Sequence, residues 1–193
     1  IRVNTLKITT DAIKKQLKLK NISVEDIPYI QEGLSIKTGA DTLFSEFLQT
    51  GLLYVQTASS MIPAKVLGPD AGDHVLDMCA APGSKTTHIA ALMGNRGSID
   101  AWDVYPHKVK LIKDNAKRLG ISIIHTEVRD SVKPLPFLYE TYDKVLLDAP
   151  CSGLGVLGHK VELRWRRKES DLSVFPPLQK QLIEQAAKYT KTG

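Results

Sequence analysis

The pattern of apolar and polar positions changes character near residue 70. Before it, residues 1–8 alternate as a strand does, 11–19 place Ala12, Ile13 and Leu17 at helical spacing, a short strand follows around Leu34-Ser35-Ile36, and 52–56 reads as another strand. After it, strand and helix patterns alternate: strand 74–78, a helix from Ser84 to about Met93 closed by Gly94, strand 97–103, helix 106–119, strands 121–128 and 144–147, and helix 178–189. Pro106 in the first turn of its helix and Gly120 just past its end are the expected boundary residues. Strands separated by helices of this length imply parallel pairing through right-handed crossovers, hence a doubly wound α/β sheet. The turn-rich hinge Leu67-Gly68-Pro69-Asp70-Ala71-Gly72 divides this region (69–193) from a small α+β unit (1–68). A unit of that size is marginal alone, so it is expected to lean on its neighbour.

Ligands in doubly wound sheets bind beyond the carboxyl ends of the strands. There the first strand of the sheet gives way to Asp77-Met78-Cys79-Ala80-Ala81-Pro82-Gly83-Ser84-Lys85-Thr86, small residues followed by a helix start, so that backbone N–H groups face whatever sits above. A phosphate-binding P-loop needs glycine where Cys79 and Ser84 stand, and a dinucleotide turn needs three spaced glycines where only Gly83 is present. S-adenosylmethionine (SAM) remains, its carboxylate on the turn and its adenosine along the sheet edge. Asp103, 20 residues past Gly83 at the end of the next strand, is at the spacing of a ribose-binding acid, although it could equally cap the helix at Pro106. Asp130 could face the adenine or simply serve a surface turn, and Asp148 ends a further strand. Three successive strands ending in Asp favour a site.

Composition adds limits. The 42% hydrophobic content suits a packed core, and no stretch approaches the roughly 20 apolar residues of a membrane span. Two cysteines are too few to staple the domain, which predicts a reduced, cytoplasmic setting. The net charge of +5 is shared evenly, with eight basic against six acidic residues up to Gly68 and eighteen against fifteen after it, and supports RNA binding only weakly. His74, His88, His107, His125 and His159 show no metal-binding spacing, and no metal is expected. The chain opens at Ile1 without Met and stops at Gly193 just after a helical pattern, so both ends are expected to be cut. A missing next strand would leave strand 144–147 with an open edge, and residues 1–193 alone are expected to be aggregation-prone.

Two segments together, Met78-Cys79-Ala80-Ala81-Pro82-Gly83-Ser84-Lys85-Thr86 and Asp148-Ala149-Pro150-Cys151-Ser152-Gly153-Leu154-Gly155, carry a specific likeness. With Arg2-Val3-Asn4-Thr5-Leu6, the stretch from Gly51 to Gln56, and Trp165-Arg166-Arg167, the chain resembles the RNA cytosine carbon-5 methyltransferases, most closely the bacterial small-subunit ribosomal RNA methyltransferase B group. The resemblance implies a Rossmann-like SAM-dependent methyltransferase domain behind a small RNA-contacting domain, the sheet incomplete at its C-terminal strands. Cofactor contacts are carried onto Cys79, Ala80, Ala81, Pro82, Gly83, Ser84, Lys85, Asp103, Asp130 and Asp148, with Lys85 and Asp148 also near the target cytosine.

Carbon-5 of cytosine is a poor nucleophile until a thiolate adds at carbon-6 and makes it an enamine. In the family the attacking cysteine lies in a Thr-Cys pair after a Gly-Gly turn, whereas the Pro-Cys cysteine, here Cys151, helps release product. That nucleophile is expected beyond Gly193, leaving this piece inactive alone, and Cys79 is expected to pack rather than react. Thr57 stands where the family usually has an acid, and Ser84, in place of a second glycine, is positioned to cap the following helix. Arg164, Trp165, Arg166 and Arg167 join cations to an aromatic and are the expected RNA contacts, ribosomal RNA being the implied partner, against the plainer reading of a solvated helix start. Two other functions stay in view: a SAM-binding RNA module without chemistry, and an exocyclic-amine methyltransferase, which would need an Asp/Asn-Pro-Pro-aromatic motif at Asp148.

Overall fold

The computed structural model describes residues 1–39, 46–153, 165 and 171–192. The small unit holds β1 (Arg2–Val3), α1 (Thr10–Leu19), β2 (Ser23–Ile27), β3 (Ile30–Thr38) and β4 (Leu53–Tyr54), its strands antiparallel in the order β2-β3-β1-β4. Thr9 caps α1 by accepting from the Ala12 N–H, and Ile13 and Leu17, one helical turn apart, bury against Val3, Leu34 and Leu53.

Helix α2 (Ala58–Leu67) leads from the small unit to the larger one, which follows as β5 (His74–Asp77), α3 (Ser84–Leu92), β6 (Ser98–Asp103), α4 (Pro106–Leu119), β7 (Ile124–Val128), a 3-10 turn (Pro136–Leu138), β8 (Lys144–Leu146) and α5 (Asp171–Tyr189). Its sheet is parallel throughout, in the order β7-β6-β5-β8, and its carboxyl edge aligns Asp77 with Ala101 and Asp103 with Val128. Beyond β8, Thr190 bridges Tyr142 in parallel and the Lys191 N–H donates to the Tyr142 carbonyl. Among the described residues no helix is long and apolar enough to cross a membrane.

Several local expectations differ from the structure. Residues 1–8 form only the two-residue β1, because Asn4 gathers the chain into a turn in which Lys7 and Ile8 donate to its carbonyl and Leu6 to its Oδ1. The 30–38 strand is longer than its Leu34-Ser35-Ile36 centre, and β2 and α2 carry no clear period. In α2, Pro63 interrupts a weakly amphipathic helix, yet the Thr57 cap and the left-handed Gly68 that ends it are regular boundary residues. Strand β7 starts three residues late because Ile121 closes α4, donating to the Ala116 carbonyl. Helix α5 begins well before Leu178 and runs through Pro176-Pro177, which donate no backbone hydrogen bond.

The two units share a polar seam built from β1 and the turn after it. Arg2 is buried and donates to Gln56 and to α3; Asn4 Nδ2 donates to the Gly51 and Leu119 carbonyls, and Lys7 Nζ to those of Thr50 and Arg118, so both close the C-terminal end of α4. Glu32 on β3 pairs with His88 on α3 (2.6 Å) and Lys65 on α2 (3.4 Å). Tyr54 and Ala64 pack with Val75, Ile89 and Leu146, so apolar contact backs the polar seam.

Candidate cofactor and active site

At the carboxyl edge of the sheet, the turn after β5 is held on three sides. The Ala80 N–H donates to the Trp102 carbonyl at the end of β6 (2.8 Å), Ser131 Oγ to the Met78 carbonyl (2.6 Å), and Asn115 Nδ2 on α4 to the Pro82 carbonyl (2.9 Å). Ala80 packs with Ala101 and Ile112, which explains the need for small residues here. Gly83, not Ser84, is the N-cap of α3, at φ 93°, and a Cβ there would lie 3.2 Å from Ile112 Cα. The expectation that Ser84 caps the helix is therefore corrected: Ser84 is its first residue, and the cap position requires the left-handed conformation that favours glycine. The first-turn amides of Ser84, Lys85 and Thr86 have no carbonyl four residues back within the helix, which leaves donors for an anionic group.

Asp77 lies beneath this turn, 1% exposed, and accepts from Thr86 Oγ1 at 2.7 Å while its Oδ1 has no partner among the described residues. Burial pushes its carboxyl up to about 6; the Thr86 bond opposes this and the charge of Asp148 adds to it. An orphaned buried carboxylate oxygen is the unmet half of a contact with a donor or cation. Sequence reasoning used Asp77 only to open the turn; its burial between strand and helix was the missed signal. Cys79 is partly buried, and burial, with Asp77, Asp103 and Asp148 nearby, pushes its thiol up to about 12, so it stays protonated.

Asp103 ends β6, 9% exposed, and its Oδ1 accepts from the Tyr105 N–H (3.1 Å). It thus serves the turn before α4 with one oxygen, while the N-cap itself, Tyr105, makes no side-chain cap bond. The Asp130 Oδ1 accepts from the Val132 N–H just beyond β7, whose end is tied to β6 by the Arg129 N–H donating to the Asp103 carbonyl. Lys85 Nζ donates to Asp148 Oδ2 at 2.5 Å, which brings the second sequence motif to the first. Cys151 is exposed three residues further on, and Gln179 of α5 donates to the Pro150 carbonyl between them. Trp165 is 86% exposed, while Arg164, Arg166 and Arg167 lie outside the described residues. Among the described residues, no three of His, Cys, Asp and Glu gather as a metal site.

A parallel sheet with helices, and an open glycine-capped turn over its first strand, define the Rossmann-like SAM-dependent methyltransferase fold. The family model for the 16S rRNA methyltransferase RsmB/F matches residues 64–193, and the chain belongs to that family. It is 38% identical over 194 residues to the probable ribosomal RNA small subunit methyltransferase B of Bacillus subtilis, covering all of this chain and 43% of that protein. It is 40% identical over 200 residues to ribosomal RNA small subunit methyltransferase F of Erwinia tasmaniensis, covering all of this chain and 42% of that one. The chain thus spans less than half the length of these relatives. Among solved structures, a methyltransferase homolog from Pyrococcus horikoshii superposes with a TM-score of 0.87 at 35% identity, over all of this chain and 60% of that one. NSun6 of the same organism, solved with SFG, gives 0.86 at 25% identity, over all of this chain and 72% of that one.

Proposed function

We propose that the protein containing this chain transfers a methyl group from SAM to carbon-5 of a cytosine in RNA, ribosomal RNA being the substrate. The carrying observation is the 2.5 Å contact between Lys85 and Asp148, which joins the glycine-capped turn to the Asp148-Ala149-Pro150-Cys151 segment at one sheet edge. The ribosomal RNA methyltransferase names of the relatives and the SAM analogue SFG in the archaeal neighbour support the same reading.

The residues fit SAM. The turn from Cys79 to Lys85 would hold its amino-acid end with the amides above Gly83, the Asp77 Oδ1, without a partner among the described residues, would answer a cationic group, Asp103 suits the ribose, and Asp130 the adenine side. Bound there, SAM supplies an electrophilic methyl. The contact between Lys85 and Asp148 would lie beside the acceptor, and the pair is assigned to assist proton movement at the ring. Cys151 is assigned to product release. The thiol that adds to carbon-6 is assigned to a Thr-Cys pair, which this sequence does not contain, and the raised Cys79 thiol is unsuited to that role. Arg164, Trp165, Arg166 and Arg167 are assigned to RNA, and the small unit (1–68) to RNA contact beside the SAM-binding domain (69–193).

Full-length protein incubated with isotopically labelled SAM and unmethylated small-subunit ribosomal RNA, followed by nucleoside mass spectrometry, is expected to yield labelled 5-methylcytidine. A label on an exocyclic amine would refute the carbon-5 assignment, and SAM binding without transfer would favour a binding module.

A further inference from the structure

Arg2 carries a full charge into the seam between the two units, 2% exposed. Nη1 donates to Gln56 Oε1 (2.7 Å) and to the Ser84 carbonyl (2.6 Å), and Nη2 donates to Thr87 Oγ1 (2.9 Å). The guanidinium stacks 5.0 Å from the Tyr54 ring centroid. Among the described residues, every hydrogen bond it makes ends on a neutral oxygen. Burial lowers it to about 10, with Tyr54 and Glu32 opposing. As a purely structural tie this is costly, since an apolar group of similar size serves a buried seam as well, and the N-terminal end of a helix is the unfavourable end for a cation.

The acceptors indicate what the charge does. The Ser84 carbonyl belongs to the same peptide as the Lys85 N–H, one of the first-turn amides of α3, and a hydrogen bond to the oxygen of an amide polarises it and strengthens the donor at its other end. Thr87 Oγ1 donates in turn to the Gly83 carbonyl (2.7 Å), so Nη2 steadies the cap residue through one intermediate. One position further along α3, His88 is held by Glu32. The start of the cofactor helix is therefore fixed from the small unit, at a point where an anionic ligand group would be bound from the other side.

We propose that Arg2 is a positioning residue for the carboxylate of the amino-acid end of SAM, acting through the Ser84–Lys85 peptide and through Thr87 to hold and polarise the first turn of α3. It rests on the SAM assignment above, and it makes the small unit part of the cofactor site.

The test compares two ligands on full-length protein by calorimetry: SAM, and 5′-methylthioadenosine, which keeps the adenosine and sulfur but lacks the amino-acid end. Arg2→Gln is expected to weaken SAM at least tenfold and 5′-methylthioadenosine less than twofold, with Arg2→Lys, which keeps the charge but loses the fork, intermediate for SAM alone. Equal losses for both ligands, as a merely structural seam residue would give, or no loss for SAM, would overturn the assignment. Should Arg2→Gln not fold, Thr87→Val leaves the charge and removes one acceptor; a two- to fivefold loss confined to SAM supports the proposal and an unchanged ratio of the two affinities overturns it. Wild-type protein that binds neither ligand would instead overturn the SAM assignment, and this role for Arg2 with it.

Discussion

Burial of Asp77 beneath the turn sets its charge against the stability of the fold. Its folded carboxyl titrates near 6 against an ordinary 3.8, so the folded state holds a proton there that the unfolded chain has given up. The sign follows: stability from this group is fully present below pH 3.8 and is lost as pH rises through 6, a change of about 2–3 kcal/mol for a shift of this size in a fully buried group. Asp77→Asn is expected to stabilise the ligand-free protein by about 1–3 kcal/mol at pH 7 in urea melts, to change little at pH 4, and to weaken SAM binding. Equal stability of the two proteins at pH 7 would remove the charge conflict. The two cysteines give a second contrast. Iodoacetamide at pH 8 followed by peptide mass spectrometry is expected to label exposed Cys151 well before Cys79, whose raised thiol leaves almost no thiolate. Sequence spacing marked Asp103, Asp130 and Asp148 as strand ends, and the structure puts Asp103 at the end of β6 and the other two each two residues past a strand; Asp77 was passed over, since only burial distinguishes a carboxylate under the turn from one at its rim.

Among the elements, legibility followed the strength of local signals. Helix α4 has its proline start, its glycine stop and apolar residues at Val109, Ile112, Ala116 and Leu119, and its bounds were read without error. Helix α3 has almost no amphipathic pattern, because it is buried on several sides, and its Thr86, Thr87 and His88 are paid for by partners in distant segments. It was found from the turn before it, and its cap was then assigned one residue late. Helix α2 and β2 went unread because tertiary contact rather than period holds them. The Gly83 cap is the most exacting point in the site. Gly83→Ala places a side chain at φ 93° and against the α4 backbone at Ile112, where a relaxing side chain cannot make room alone. It is expected to cost about 2 kcal/mol or more in chemical denaturation and to lose SAM affinity beyond that measured for a stability-matched variant elsewhere, such as one in the small-unit core. Full affinity in Gly83→Ala would show that the cap conformation does not shape the site.

Across the whole molecule, the seam is where acid should act. His88 is fully buried, its Nδ1 has no partner among the described residues, and burial lowers its pKa, with the Glu32 bond opposing; it therefore sits neutral and donates from Nε2. Burial pushes the Glu32 carboxyl up, but the His88 bond, its own backbone and the charge of Lys65 outweigh this and hold it down at about 2. Both shifts have the same sign. Each is a depressed folded pKa, so each contributes stability that is present above the ordinary value and lost as pH falls: below 6.5 for His88, and between 4.5 and 2 for Glu32. Asp77 works the other way between 3.8 and 6, so a global melt mixes opposite terms, and a local readout is required. Hydrogen exchange, corrected for the intrinsic pH dependence, is expected to show residues 53–67 losing protection between pH 7.5 and 5 while β6 keeps its own. Glu32→Gln removes the carboxylate that fixes the His88 tautomer and is expected to lower protection of the same segment already at pH 7.5, with a flatter response to acid. Protection across 53–67 that is insensitive to both pH and Glu32→Gln would mean that the apolar packing of Tyr54 and Ala64 holds the seam and the polar network does not. Loosening that tracked the carboxylate would couple the seam to the same helix to whose first turn the cofactor is proposed to bind.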